Sequence, residues 1–352
     1  MAIFFADSFD HYGNEDAGET NMLKGNYVEA NGGLFGGPQT TVKRTGLRSF
    51  RFYDESGSIL RRVFSEPKDV LGVSLAFMIE NLPSTESATA VRIMRVTDTT
   101  NTQLCSITLA TTGALRVRNA AGTILFSSAA GVITAGGFNH IEARFIFANG
   151  DGEVEVRVNE VTVIDIQDVD IGPPATAEQF AISDSAGAAS FGNFYVDDLV
   201  LWDDLGTENN DFLGDVSVFT HMPNADTAQA DWSPSTGSTG YVIIDDIPPD
   251  ADFLEATVAG DRSDFEMPTF SVGNIVAVKA VQRFSLVKKN GAGSSTFRQG
   301  VVSNATDAFG TIHSPGTSET YYNDLFQLNP DGSVAWDVAA VEDMQILIEK
   351  VT

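Results

Sequence analysis

Cysteine is almost absent from this 352-residue chain. The single Cys105 excludes any intramolecular disulfide, so stability has to come from packing. Cys105 lies in an apolar, Thr-rich stretch with Leu104, Ile107 and Leu109, without a neighbouring base, and reads as a small buried hydrophobe rather than a nucleophile. Positive charge is scarce as well. Only 21 Lys and Arg stand against 48 Asp and Glu, a net charge of −27, and such a field disfavours nucleic acid and anionic lipid as partners. No apolar run reaches the ~18 residues a membrane-spanning helix needs. The opening Met1-Ala2-Ile3-Phe4-Phe5-Ala6-Asp7 lacks a basic leader and does not read as a signal peptide. Four scattered histidines, His11, His140, His221 and His313, show no metal-ligand spacing.

Aromatic residues, by contrast, are plentiful. With 24 Phe, 7 Tyr and 3 Trp the chain is too apolar for intrinsic disorder, and its length fits two domains. Helical periodicity is nearly missing, whereas period-two alternation recurs between Gly, Asn, Asp and Pro clusters. In His140 to Phe147, the residues Ile141, Ala143, Phe145 and Phe147 share one face. The Asn149-Gly150-Asp151-Gly152 turn leads to Glu153–Val158, and Asn159-Glu160 leads to Val161–Asp165, which predicts a three-stranded antiparallel meander. Further strands are expected at 71–80, 90–96, 103–109, 114–117, 123–126 and 194–202. This cadence predicts an all-β chain of stacked antiparallel sheets, a jelly-roll sandwich.

The acidic, polar run from Asp203 to Asp211 reads as an exposed connection, placing a first domain at 1–204 and a second, smaller β sandwich at 212–352. In the second, strands are expected at 241–244, 275–281, 284–287, 296–302 and 344–351. A short helix within 334–344 would be capped by Asp337.

Four stretches together carry a family resemblance: Phe5 to Tyr12 (FADSFDHY), Phe138 to Ala143, the meander from Gly152 to Ile164, and Gly192 to Leu201 (GNFYVDDLVL). Over residues 1–204 the chain resembles concanavalin A-like, laminin-G-like domains, in which the first and last strands pair within one sheet. Together with Gly214–Val218, Trp232–Ser235 and Asp245–Asp250, the pattern also resembles virion structural proteins of tailed bacteriophages. The resemblance implies a non-enzymatic, homo-oligomeric protein of the particle surface or tail. Such a protein would be made in the host cytoplasm, would contact other virion proteins, and would adhere to host-surface carbohydrate. A free lectin-like glycan-binding protein and a glycan-cleaving enzyme are the alternatives.

Glu153 and Glu155 share a strand face roughly 6–7 Å apart, near the spacing of glycosidase acids. Val154 stands where laminarinase-like enzymes on this fold have a third acid, and Arg157 would hold both carboxylates ionised, so the pair reads as a solvated face. Asp197 and Asp198 interrupt an apolar strand, and one must point inward unless a bulge intervenes. Hydrogen bonds to the first strand near Asp7, Ser8 or Asp10 would satisfy them. A calcium ion held by Asp197, Asp198 and Asp10 is the alternative, and no other cofactor is expected. The basic residues Lys43, Arg44, Arg48, Arg51, Arg61 and Arg62 form either an ordinary strand surface or a docking face for an acidic subunit. Tyr195, Tyr321 and Tyr322, with Trp202 and Trp336, are packing residues or sugar-stacking platforms.

Overall fold

The structure is a computed structural model, and it describes residues 2–32, 36–53, 57–85, 91–148, 150–171, 176–184, 191–237, 239–269 and 275–352. It divides into two compact units, Met1–Phe219 and Thr220–Thr352. Among the described residues no helix is long and apolar enough to cross a membrane.

In the first unit the elements follow in order as β1 Ile3–Asp7, α1 Glu15–Met22, β2 Glu29–Asn31, β3 Gly37–Gln39, β4 Ser49–Phe52, β5 Ile59–Lys68, β6 Val70–Ile79 and β7 Val91–Thr97. Then come β8 Gln103–Leu109, β9 Leu115–Asn119, β10 Ile124–Ser127, β11 Asn139–Ile146, β12 Gly152–Val158, β13 Val161–Val169, β14 Ala177–Asp184 and β15 Phe194–Trp202. They form two antiparallel sheets, β13-β12-β11-β6-β15-β4-β3, with β1 also on β15, and β10-β9-β8-β7-β14-β5-β2. The fold is the expected jelly-roll sandwich, and its first and last strands pair through Ala6↔Val200 and Asp7↔Leu199.

Alternation explains the layers. Ile141, Ala143 and Phe145 of β11 lie opposite Leu75, Val73 and Leu71 of β6, and all six are fully buried. From the other sheet, Cys105, Ile107, Val117, Phe180 and Ile182 are equally buried. Each large apolar side chain so placed contributes about 1.5–3 kcal/mol. Phe194 stacks on Phe52 at 4.3 Å between centroids and tilts against Phe77 at 5.6 Å. The meander is as expected, with Asn159 and Glu160 at φ 49° and 66° in the tight turn between β12 and β13.

The opening motif builds a buried polar knot in this unit. One Asp7 carboxylate oxygen accepts from the hydroxyls of Tyr12 and Tyr27, both at 2.8 Å, and the other from Phe9 N at 2.7 Å. Burial outweighs these bonds and pushes the Asp7 pKa up to about 6. The Arg62 guanidinium lies 3.6 Å over the Phe5 ring nearby.

The first unit runs past the expected boundary. Residues 204–208, 210 and 211 are exposed, as expected of the acidic connection, and residues 212–218 then strap the outer face of the sheet containing β11. Phe212 packs edge-on to Trp202 at 5.9 Å and under the Arg157 guanidinium at 3.7 Å. Leu213 N donates to Glu142 Oε1 at 2.8 Å, and Val218 N to Asp198 Oδ1 at 2.7 Å. Apolar anchors and buried acceptors thus hold residues 212–218, just past the exposed acidic run.

The second unit is the smaller β sandwich. Its five-stranded sheet runs Ala225–Ala230, Arg262–Glu266, Gln345–Lys350, Phe297–Ser303, Thr306–Phe309, and a ribbon pairs Val281–Val287 with Thr320–Phe326. Gln299 ties ribbon to sheet, accepting from Ser285 Oγ at 2.8 Å and donating to Tyr322 O at 3.0 Å. Phe265, Val301, Trp336, Val341 and Ile346 form the core. Asp337 caps the helix Val338–Glu342 through Ala340 N at 2.8 Å, as expected. Two expected strands differ. Gly240–Ile243 is a helical turn, because the Asp226 carboxylate accepts the N–H groups of Gly240 and Tyr241 at 2.7 and 2.6 Å. Val276 is 97% exposed, so the apolar run 275–281 contributes only Val281 to a strand.

Candidate carbohydrate-binding face

The first unit concentrates cations where its sheet alternation turns outward. On β9, Arg116 and Arg118 are two apart and therefore share a face, opposite to buried Leu115 and Val117. On β7 a register shift between Arg92 and Met94 places Arg92 and Arg95 on one face although they are three residues apart. Strand pairing then assembles a continuous row through Arg118, Ser106, Arg95, Ala181, Arg61 and Glu29, each directly opposite the next. A parallel row runs through Arg116, Thr108, Arg92 and Ser183.

Small side chains form the floor of this face, with Ser106, Thr108, Ala181 and Ser183 all under 4% exposed beneath the longer arginines. Arg118 Nε donates to Thr108 Oγ1 at 3.1 Å, Arg61 donates to Gln179 Oε1 at 3.2 Å, and Arg95 donates to Asn101 O at 2.9 Å. The carboxylate in the rows is Glu29, paired with Arg61 at 3.0 Å. The Nε–H groups of Arg61, Arg92 and Arg95 are buried without a hydrogen-bond partner. Burial, followed by the charge of Arg95, lowers the Arg92 pKa. Burial and Arg61 lower that of Arg95, which Glu29 partly restores. The face is rich in donors and short of acceptors, in a chain that is otherwise strongly acidic.

The basic residues between Lys43 and Arg62, the alternative docking face, do not share one face. Arg44 donates to Asp198 at 3.2 Å and to Val216 O at 3.0 Å. Arg48 donates to Asn14 Oδ1 at 2.8 Å and to Asp10 O. Arg51, on β4 of the other sheet, lies 3.8 Å from Glu15 of α1. Arg61 and Arg62 are adjacent on one strand and so face opposite ways, Arg62 into the core and Arg61 into the row described above.

Asp10, Asp197 and Asp198, the alternative calcium set, are engaged by protein donors, and the donors to Asp197 and Asp198 come from Arg44, Thr45 and Val218 rather than from the first strand as expected. Asp10 Oδ1 accepts Leu47 N and Arg48 N, both at 2.7 Å. Asp197 Oδ2 accepts Arg44 N at 2.8 Å and Thr45 N at 3.2 Å. Asp198 takes Thr45 Oγ1, Val218 N and Arg44. A bulge between Asp197 and Val200, with Asp198 at φ 52°, lets both carboxylates turn into the protein. Burial raises the pKa of each. Oxygens saturated by N–H and O–H donors do not fit a calcium ion, and no group of three His, Cys, Asp or Glu among the described residues could hold a metal.

The tyrosines are packing residues. Tyr195 is 4% and Tyr321 5% exposed, and the Tyr195 hydroxyl donates to Glu80 Oε1 at 2.8 Å. Tyr322 packs edge-on to Phe297 at 5.2 Å. Glu153 and Glu155 sit on the outer face of β12 beside arginines, Glu155 2.9 Å from Arg157 and Glu153 3.6 Å from Arg144. Burial pushes the Cys105 thiol far above its ordinary range.

No family model matches the chain, and no curated protein matches it. Among solved structures it is similar to an endo-β-1,4-glucuronan lyase from the fungus Trichoderma reesei, at 10% identity and TM-score 0.41, covering 57% of this chain and 95% of the lyase. It is also similar to a protein of unknown function with a galectin-like fold from Bacillus subtilis, at 10% identity and TM-score 0.38, covering 57% of this chain and 96% of that one. A sialidase matches at 12% identity and TM-score 0.41, and this chain spans 27% of its length, with 78% of this chain covered. These likenesses bear on the sandwich alone. The expectation of a phage virion structural protein is corrected here: the similar structures are a glucuronan lyase, a sialidase and a galectin-like protein.

Proposed function

We propose that this protein is a glycan-binding β sandwich that takes its ligand across the outer face of the seven-stranded sheet. The observation that carries the reading is the pair of registered arginine rows over a floor of Ser, Thr and Ala. Guanidinium groups present forked donors to hydroxyl or acidic oxygens, and the small floor residues leave room for a chain of sugars lying across the strands. The protein acts by retention rather than turnover. Glu153 and Glu155, the pair at glycosidase-like spacing, stand on the other sheet and face arginines rather than each other.

Affinity electrophoresis of the full chain through gels containing neutral and acidic polysaccharides tests this reading. At least one polysaccharide is expected to retard the protein, and the double variant Arg92→Ala/Arg116→Ala is expected to run faster in that gel with an unchanged melting temperature. Absence of retardation by every polysaccharide, or retardation indifferent to the double variant, refutes the reading.

A further inference from the structure

Within the row, the arginines do not fall on every strand. Arg118, Arg95 and Arg61 occupy β9, β7 and β5, while the strands between them place Ser106 and Ala181 in register. Neighbouring strands are spaced by about 4.8 Å, so the guanidinium-bearing positions recur about every 9.5 Å across the sheet. That interval is close to the repeat of two sugars in an extended linear polysaccharide. At the edge of the sheet the row ends in Glu29, whose carboxylate already sits on Arg61 at 3.0 Å. The row therefore displays, within the protein, the kind of group a guanidinium on this face takes. A planar carboxylate can take two parallel N–H bonds from one guanidinium.

We propose that this row is a ladder reading the carboxylates of a linear uronate-bearing polysaccharide, one acidic group for every second sugar, with the polymer running perpendicular to the strands. This rests on the glycan-binding reading above and adds the class of glycan. The acidic remainder of the molecule repels polyanions in general, so charge alone does not recruit the ligand and the matched spacing selects it.

Isothermal titration of the full chain with a polyuronate, with the same polymer after chemical reduction of its carboxyls to hydroxymethyl groups, and with sulfated dextran and inorganic polyphosphate tests the proposal. The polyuronate is expected to bind, the reduced polymer at least tenfold more weakly, and Arg95→Gln to lose at least tenfold for the polyuronate. Glu29→Gln frees Arg61 and is expected to tighten polyuronate binding severalfold, a gain that a misfolded variant cannot mimic. Oligouronates are expected to gain affinity in steps of two sugars. Equal binding of the reduced polymer, or no gain in Glu29→Gln, overturns the ladder while leaving a glycan-binding protein. Sulfated dextran or polyphosphate bound as tightly, with the same sensitivity to Arg95→Gln, overturns it in favour of unselective anion binding. If neither form of the polymer nor any other glycan binds, both readings fall.

Discussion

Glu142 offers a direct measure of how firmly the strap of residues 212–218 is held. Its carboxylate is 1% exposed, and one oxygen accepts Leu213 N while Oε2 has no partner. Burial raises its pKa from 4.5 to about 7 against the opposing pull of Leu213 N and Arg157. A folded pKa above the unfolded one means that the group's contribution is fully present below pH 4.5 and is lost as pH rises through 7. Between pH 5 and pH 8.5 the loss from this group amounts to about 2.5 kcal/mol, at ~1.4 kcal/mol for each pKa unit of displacement. Glu142→Gln keeps the acceptor for Leu213 N and cannot ionise. Its stability relative to the native chain is therefore expected to improve by about 2.5 kcal/mol on going from pH 5 to pH 8.5, whatever its constant offset. Urea titrations read by hydrogen exchange in β6 and β11 report on the first unit alone. A pH-dependent difference below about 1 kcal/mol, or of opposite sign, would show that Glu142 is solvated and that the strap does not seal the sheet.

Three other outcomes follow from packing. A Cβ on Gly72 would fall inside the Trp202 indole, so Gly72→Ala is expected to destabilise the first unit by at least 1–3 kcal/mol, with partial rescue by Trp202→Phe, measured by calorimetry. Asp7→Ala removes the shared acceptor of Tyr12, Tyr27 and Phe9 and is expected to cost about 2–4 kcal/mol by urea titration, and a loss under 1 kcal/mol would contradict the knot. Phe212→Ala removes the anchor between Trp202 and Arg157, so limited proteolysis is expected to cleave within 205–211 several times faster while β15 stays protected.

Much of the fold is legible in the residues. Period-two alternation in Ile141–Phe147 and the Asn-Glu turn at 159–160 announce the meander, because both are local properties of the chain. The inward demand of Asp197 and Asp198 is legible too, as is the Asp337 cap. The arginine face is much less so. Arg116 and Arg118 at i, i+2 carry a local signal, whereas Arg61, Arg95 and Arg118 meet only through the register of β5, β14, β7, β8 and β9, and a bulge shifts the phase of β7. Clustering by sequence distance instead groups Arg44 with Arg62, which the fold separates. Tyr241–Ile244 carries strand-like composition but turns helical because Asp226, fifteen residues before Tyr241, supplies the acceptor.

The opposite fates of Arg61 and Arg62 have a bearing on how the chain finds its native pairing. One-residue slippage of β5 against β14 would carry Arg61 beneath the aromatic layer and strand Arg62 in water, abandoning the stack on Phe5 and desolvating a cation with no prepared seat. Twin identical residues, which look interchangeable on paper, thereby act as a proofreading mark for alignment while the sandwich closes.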